Sequence, residues 1–182
     1  QTRNEQVIPD SGSLDDMSHM VMLHYRGVRA LSPWPKPEHR DAIPHIMGTV
    51  SKDVLAVSRI SQDGCGLELP ALWKVENPHT MTDVNALKHE TVDRMWSGDN
   101  AGVVKCWDVN EAAAVTTLAT NSGWMTSMEV WPEAGVLACS HSSGICYVDT
   151  RAGKVIRQHS TKSPVGKINI LNGSHPIMFA GI

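Results

Sequence analysis

The stretch Met95-Trp96-Ser97-Gly98-Asp99-Asn100-Ala101-Gly102-Val103-Val104-Lys105-Cys106-Trp107-Asp108 has the pattern of two β-strands joined by a tight turn. Its middle residues, Asn100-Ala101-Gly102, are the small, turn-tolerant residues that a hairpin needs. The segment Val103-Val104-Lys105-Cys106 that follows is rich in β-favouring residues and ends in a Trp-Asp dipeptide. The stretch predicts an antiparallel hairpin over residues 96–108, with its turn at residues 99–102.

The same pattern recurs further along the chain. Residues 137–149 repeat the apolar strand, the polar turn with its glycine and a second apolar strand, and Asp149 follows Asp108 by 41 residues. This repeat predicts a second hairpin over residues 137–149, with its turn at residues 141–144. A third copy begins at residues 177–181.

The strands that precede these hairpins also repeat. Residues 124–132 and 164–171 both alternate apolar with small or polar residues, and Val165 follows Met125 by 40 residues. Upstream, the sequence predicts an opening strand at residues 27–35 and a following strand at residues 43–51. It also predicts, at residues 71–76, the strand that would end in Trp-Asp, although Trp73 is followed by Lys74.

The order of strand, tight turn, strand and Trp-Asp recurs every 40 to 42 residues. This pattern resembles the repeats of the WD40 β-propeller family, whose blades span about 40 to 45 residues. The resemblance is to the family and not to one subfamily. It implies an all-β propeller with about three and a half blades visible, and therefore part of a longer propeller. Residues 1–18 are expected to form a flexible arm and residues 19–182 the blades. The approximate blades are residues 24–76, 84–109 and 122–151, followed by an incomplete one at 163–182.

The resemblance also implies structural roles for the motif residues, which are His89, Gly98, Asp99, Gly102, Trp107, Asp108, Gly144 and Asp149. In this alignment His89 takes the place of the family's Gly-His histidine, ahead of an opening strand. It is expected to join a hydrogen-bonded network that ends on Trp107, because a buried imidazole and a buried indole N–H must both find partners.

The second blade is too short in this alignment. Ser97 follows Val92, in the expected opening strand, by only five positions, whereas Cys139 follows Met125 by fourteen in the next repeat. About one strand is therefore expected to be missing, and the alternative is a degenerate blade. The predicted signs are a Cα gap between residues 94 and 95 well beyond 3.8 Å, or a partner chain that supplies the strand, and the half blade at the end of the chain is expected to need completion in the same way.

The other histidines and the cysteines predict no metal site and no cofactor. The histidines expected in exposed turns or linkers are His39, His45, His79, His141, His159 and His175, while His19 and His24 precede the first strand without a clear partner. The cysteines Cys65, Cys106, Cys139 and Cys146 lack metal-ligand spacing and are expected to be small buried hydrophobic residues, with Cys139 and Cys146 flanking one hairpin. Since they form no disulfide framework, they indicate a reducing compartment, the cytoplasm or nucleus.

Composition excludes several classes of function. The net charge is −3 and the pI about 6.3, with scattered basic residues, so nucleic acid is expected to bind only indirectly or at a local patch. Continuous apolar runs are too short for a membrane span. A G-x-S-x-G motif and a glycine-rich phosphate loop are absent from the sequence, so we predict no catalytic residues and place a propeller-based enzyme last.

The resemblance implies a non-enzymatic scaffold that mediates protein–protein interactions as a subunit of a larger assembly. An alternative comes from Asp149-Thr150-Arg151, which resembles the WDxR ending with which some WD40 proteins dock onto the cullin-4 ubiquitin-ligase adaptor. Val148 stands where that motif has its Trp. Arg151 is the candidate contact residue, because a guanidinium can donate several hydrogen bonds across an interface. The alternative function is a ligase substrate receptor.

Overall fold

A computed structural model describes residues 28–34, 45–52, 54–60, 67, 71–80, 82–171 and 177–181. Within these ranges the chain forms β-strands and no helix. The strands are β1 (Ala30–Trp34), β2 (Ile46–Val50), β3 (Val54–Arg59), β4 (Trp73–Glu76), β5 (Val84–His89), β6 (Arg94–Asp99), β7 (Val103–Asp108), β8 (Ala113–Ala119), β9 (Met125–Trp131), β10 (Val136–His141), β11 (Gly144–Asp149), β12 (Lys154–Ser160), β13 (Ile168–Leu171) and β14 (Ile177–Ala180). The predicted arm and Cys65, His19, His24, His39 and His175 lie outside the described residues.

The strands form four antiparallel sheets in chain order. The first sheet is β1–β4, the second β5–β8, the third β9–β12, and the fourth contains β13 and β14. Both predicted hairpins are confirmed, since β6 pairs with β7 and β10 with β11. The first strand of each sheet, here called an inner strand, contacts the inner strand of the next sheet. The all-β prediction is therefore confirmed, and the sheets are arranged side by side as blades.

The prediction that the second sheet lacks a strand is wrong. Its opening strand is β5 rather than a strand beginning near Val92, and Arg94 and Met95 are consecutive residues of β6, paired with Asp108 and Trp107. The turn between the first two strands has four residues in both the second and the third sheet. The β5 strand is inconspicuous in the sequence because the polar residues Asn85 and Lys88, which line a groove, interrupt its apolar residues.

The third and fourth strands of the sheets also differ from the prediction. The segment expected to end in Trp-Asp in the first sheet is its outer strand, β4, and the third position belongs to β3. The second and third sheets continue past the predicted blade ends at residues 109 and 151 into β8 and β12. These outer strands escaped prediction because they are mostly exposed and do not alternate apolar with polar residues as a half-buried strand does.

The core lies between the sheets. Leu55 and Val57 of β3 pack with Met95 and Trp107 in the layer between the first and second sheets. The next layer contains Trp96, Val104 and Cys106 of the second sheet and Met125, Leu137, Cys139, Cys146 and Val148 of the third. Cys106, Cys139 and Cys146 are buried free thiols, as predicted, and Cys139 lies opposite Cys146. Burial of apolar side chains between the sheets holds the inner strands next to one another.

Candidate functional site

Four side chains at one end of the second sheet form a continuous hydrogen-bonded network. The Trp107 indole Nε1–H donates to Ser97 Oγ at 2.7 Å, and this hydroxyl lies 2.7 Å from His79 Nε2. His79 Nδ1 lies 2.9 Å from Asp99 Oδ2. Because the serine oxygen accepts the indole proton, its own proton goes to Nε2, and the imidazole Nδ1–H donates to the carboxylate. The network ties β6 and β7 to the segment before β5.

Asp99 anchors this network. The Thr82 hydroxyl donates to its Oδ2 at 2.7 Å, and the backbone N–H groups of Ala101 and Val103 donate to its Oδ1 at 2.9 and 2.8 Å. Burial acts to raise the pKa of this carboxyl, but the hydrogen bonds from His79, Thr82 and Val103 outweigh it, so that the pKa is lowered. The ionised carboxylate therefore fixes both the β6–β7 turn and the imidazole.

The hydrogen bonds run in the order Ser97, His79, Asp99, which is also the order in a Ser-His-Asp catalytic triad. A nucleophile must be reached by its substrate, however, and Ser97 is fully buried. Its oxygen is also occupied by the Trp107 indole N–H. The arrangement therefore stabilises the sheet and does not present an active serine.

The sequence placed His89 in this network and His79 in an exposed turn, and both predictions are wrong. His79 is buried and makes the two hydrogen bonds of the imidazole. The repeat contains the signal that would have identified it. Met125, which begins β9, lies 41 residues after Val84, which begins β5, so the histidine ahead of the opening strand is His79.

His89 instead joins the first and second sheets. Its backbone N–H donates to Ser32 Oγ of β1 at 2.8 Å, and its Nδ1 lies 3.0 Å from the same oxygen. The Trp34 ring is 6.3 Å away. Burial lowers the pKa of His89 from 6.5 to about 4, so the imidazole is neutral at physiological pH.

The predicted glycines lie where a side chain would be strained. A Cβ at Gly98 would lie 2.8 Å from Met125 Cγ of the third sheet, so this position sets the approach of the two sheets. Gly102 ends the β6–β7 turn with φ of 75°, and Gly144 begins β11 with φ of 143°, and both values lie in a region that favours glycine.

The predicted aspartates at the ends of β7 and β11 form equivalent turns. Asp108 Oδ1 accepts hydrogen bonds from the amides of residues 110 and 111 at 2.8 and 3.1 Å, and Asp149 Oδ1 accepts them from residues 151 and 152 at 2.9 and 2.8 Å. These amides lower the pKa of Asp149. Arg151 is exposed on the second turn and lies against Gly135, at the end of the sheet opposite the His79 network.

A groove of about 660 Å³ runs between the inner strands. Four short segments line it, namely residues 29–33, 85–88, 126–129 and 166–169. Each inner strand is the first strand of its sheet, so within the described ranges one of its edges has no ladder partner. The groove therefore offers both side chains and backbone hydrogen-bonding groups to a ligand.

Three cations and one carboxylate line this groove. Lys88 Nζ of β5 lies 2.7 Å from Glu129 Oε2 of β9, and this ion pair joins the second and third sheets. Arg29 approaches Asp83, which lies just outside the groove, at 3.4 Å. Lys167 is exposed at the start of β13. The walls are thus polar and locally cationic, although the whole chain carries a net negative charge.

The remaining histidines are divided between surface and interior. His45 and His159 are exposed, as predicted, whereas His141 is buried, and burial lowers its pKa.

Among the described residues, no group of three or more His, Cys, Asp or Glu side chains is placed to hold a metal ion. The described part of the chain also contains no helix with the length and apolar character needed to cross a bilayer.

By sequence, the chain matches no protein-family model and no curated protein. By structure, it is similar to the WD40 beta propeller domain of Doa1, with 11% identity and a TM-score of 0.66. The match covers 84% of this chain and 47% of that one, so the chain spans about half the length of that structure. Successive four-stranded antiparallel sheets with adjacent inner strands agree with this match, and we conclude that the chain has the WD40 β-propeller fold.

Proposed function

We propose that this chain is a non-enzymatic scaffold that binds another protein in the groove between its inner strands and so acts as a subunit of a larger assembly. The observation that carries the proposal is the groove itself, with four strand edges that have no ladder partner within the described residues. Such edges can pair with an extended segment of a partner, while neighbouring side chains select it.

The chemistry of the site favours binding over catalysis. The one Ser-His-Asp arrangement among the described residues is sealed in the interior, and its serine accepts a hydrogen bond from an indole. The groove side chains include an ion pair between Lys88 and Glu129, which uses their charges to join two sheets. The proposal includes a reducing compartment, the cytoplasm or nucleus, because Cys139 and Cys146 face each other as free thiols.

Two matched substitutions test the proposal. Leu31 lines the groove and is 57% exposed, and Val115 is 56% exposed on β8, away from the groove. Neither Leu31→Arg nor Val115→Arg should disturb the core. In stoichiometric complexes isolated with the tagged chain, we expect Leu31→Arg to lose partner subunits and Val115→Arg to retain them. Equal retention by both variants would contradict a binding role for the groove.

The ubiquitin-ligase receptor is the second candidate function, and the exposure of Arg151 supports it. On this proposal Arg151→Glu abolishes binding to the purified cullin-4 adaptor, because it reverses the charge that would face the interface. Lys154→Glu makes the same charge change three residues away and is the control. Undiminished adaptor binding by Arg151→Glu, or no adaptor binding by the unmodified chain, would exclude this function.

A further inference from the structure

The outer strand of the second sheet, β8 (Ala113–Ala119), has an edge that pairs with no other strand among the described residues. Its sheet already contains four strands, so this edge lies at the rim of a complete blade, on the opposite side from the groove. An unpaired strand edge presents a row of N–H and C=O groups that can pair with another strand. Whether β8 is protected against such pairing decides what it can bind.

Charged side chains protect the other two outer strands but not β8. Charges, those of lysine above all, discourage pairing because an added strand would have to oppose or bury them. The β4 strand carries Lys74 and Glu76, and β12 carries Lys154 and Arg157. The β8 strand has the sequence Ala-Ala-Val-Thr-Thr-Leu-Ala, without charge or proline, and its valine and threonines favour extended structure. Within the described residues, β8 is therefore the one outer strand that lacks this protection.

Every second amide in the later part of β8 points away from β7. The Thr120 N–H, directly after the strand, donates to the Gly102 carbonyl at 2.9 Å, toward β7. Since amides alternate in direction along a strand, those of Thr117 and Ala119 point to the free edge. The shift in register between β7 and β8 precedes Thr116. The last four residues of β8 thus form a regular edge with free hydrogen-bond donors.

The two faces of β8 differ in what covers them. Leu118 packs against the core between the second and third sheets. Thr116 lies on the same face, where its Cγ2 would be 3.0 Å from a Cβ at Gly153 of the third sheet. Thr117 is exposed on the opposite face, and Val115 is 56% exposed. A strand that pairs with β8 therefore meets small, uncharged side chains and requires no change in the core.

The chemistry of this edge fits a second copy of the same strand. Two identical strands that pair about a twofold axis run antiparallel, so the start of each lies beside the end of the other. Glu111, the exposed charge before β8, then lies beside the uncharged Asn121 rather than beside a second glutamate. In β12, the same arrangement would place Arg157, the central residue, against its counterpart, and like charges in opposed positions are destabilising. Charge thus permits self-pairing at β8 and opposes it at β12.

We propose that two copies of this chain associate through β8 and form an isologous dimer. The two β8 strands run antiparallel, with Thr117 of each copy near the twofold axis, and the two four-stranded sheets become one continuous sheet. The outward N–H groups of Thr117 and Ala119 donate to carbonyls of the second copy. The groove of each copy stays open because it lies at the opposite edge of the sheet, so the dimer does not depend on the function proposed for the groove.

Sedimentation velocity of the full chain measures this association. The interface is small and belongs to the class of weak contacts that bury less than about 1,200 Å². We expect reversible dimerisation with a dissociation constant on the order of 10–100 µM, measured between about 1 and 500 µM protein. A monomer throughout this range, or a series of larger aggregates in place of a dimer, would overturn the proposal.

A charge exchange at Thr117 identifies the contact. Thr117→Lys and Thr117→Glu each place two like charges near the twofold axis, so each variant alone should dimerise at least about tenfold more weakly, with unaltered circular dichroism. An equimolar mixture of the two should recover the dimer, because opposite charges then meet. Thr117→Val keeps the edge neutral and should dimerise as the unmodified chain does. Dimerisation by Thr117→Lys alone at unmodified strength, or a mixture that stays monomeric, would overturn the proposal.

Amide hydrogen exchange locates the paired strand. The N–H groups of Thr117 and Ala119 should exchange more slowly as the protein concentration rises. Gln158 and Ser160 hold the equivalent positions of β12 and are the control, so their exchange should not depend on concentration. Slowing at the β12 amides instead of the β8 amides would overturn the proposal.

The dimer and the groove can be tested independently. Leu31→Arg changes the groove alone and should dimerise as the unmodified chain does. Val115→Arg changes β8 and should lose the second copy while it retains the other subunits. If the chain alone is monomeric and a different subunit slows exchange at Thr117 in the isolated complex, the occupant of the edge is another protein, and the proposal of a second copy is overturned.

Discussion

Trp107→Ala should be among the most destabilising substitutions in the second sheet. The side chain is 3% exposed and packs with Leu55, Val57 and Met95. Truncation of a buried aromatic residue costs about 3–5 kcal/mol, and loss of the hydrogen bond to Ser97 Oγ adds about 1 kcal/mol. We therefore expect a loss of about 5 kcal/mol. With a urea m-value of about 2 kcal/mol/M, the unfolding midpoint falls by about 2.5 M.

Urea titration followed by far-ultraviolet circular dichroism measures this loss. The matched control is Trp124→Ala, because Trp124 is 52% exposed, and its truncation should change the free energy of unfolding by no more than about 0.5 kcal/mol. A change below about 1 kcal/mol for Trp107→Ala would refute the reasoning, since it would mean that the indole neither fills the core nor anchors the network.

Three further predictions concern the same sheet and its neighbours. Ser97→Ala leaves the Trp107 indole N–H and the imidazole Nε2 without a partner, which should cost about 2–6 kcal/mol in a urea titration, whereas a loss near zero would show that the network is not coupled. The pKa of His89 is lowered to about 4, so its contribution to the free energy of unfolding is complete above pH 6.5 and falls by about 3 kcal/mol as the pH drops toward 4. His89→Asn should therefore flatten the curve of unfolding free energy against pH in this range. Gly98→Ala forces a Cβ against Met125 and should cost about 1–3 kcal/mol, and a neutral result in thermal unfolding would show that the methionine moves aside.

The elements of the fold that could be predicted are those marked by residues close together in the sequence. Residues 99–102 and 141–144 contain the turn residues that a hairpin requires, and the strands on either side bury apolar side chains, so both hairpins could be located from the sequence. The position of β5 could not be read in the same way. Asn85 and Lys88 face the groove and meet partners from other sheets, so the apolar alternation that marks a strand is interrupted.

The role of His79 depends on contacts that are remote in the chain. Its partners Ser97 and Asp99 lie 18 and 20 residues away, on β6. A histidine between a proline and a threonine has no local feature that distinguishes a buried connector from a solvated turn residue. The outer strands β8 and β12 were missed because mostly exposed edge strands need no alternation of apolar and polar residues. The groove results from the packing of whole sheets and has no sequence pattern of its own.

Within the described residues, the contact of each inner strand with the inner strand of the next sheet couples the sheets to one another in chain order. A defect in one sheet therefore weakens chiefly the interfaces on its two sides. The second sheet is packed on both faces by four-stranded sheets and also contains the His79 network. Amides of β6 and β7 should therefore be among the slowest of the described residues to exchange.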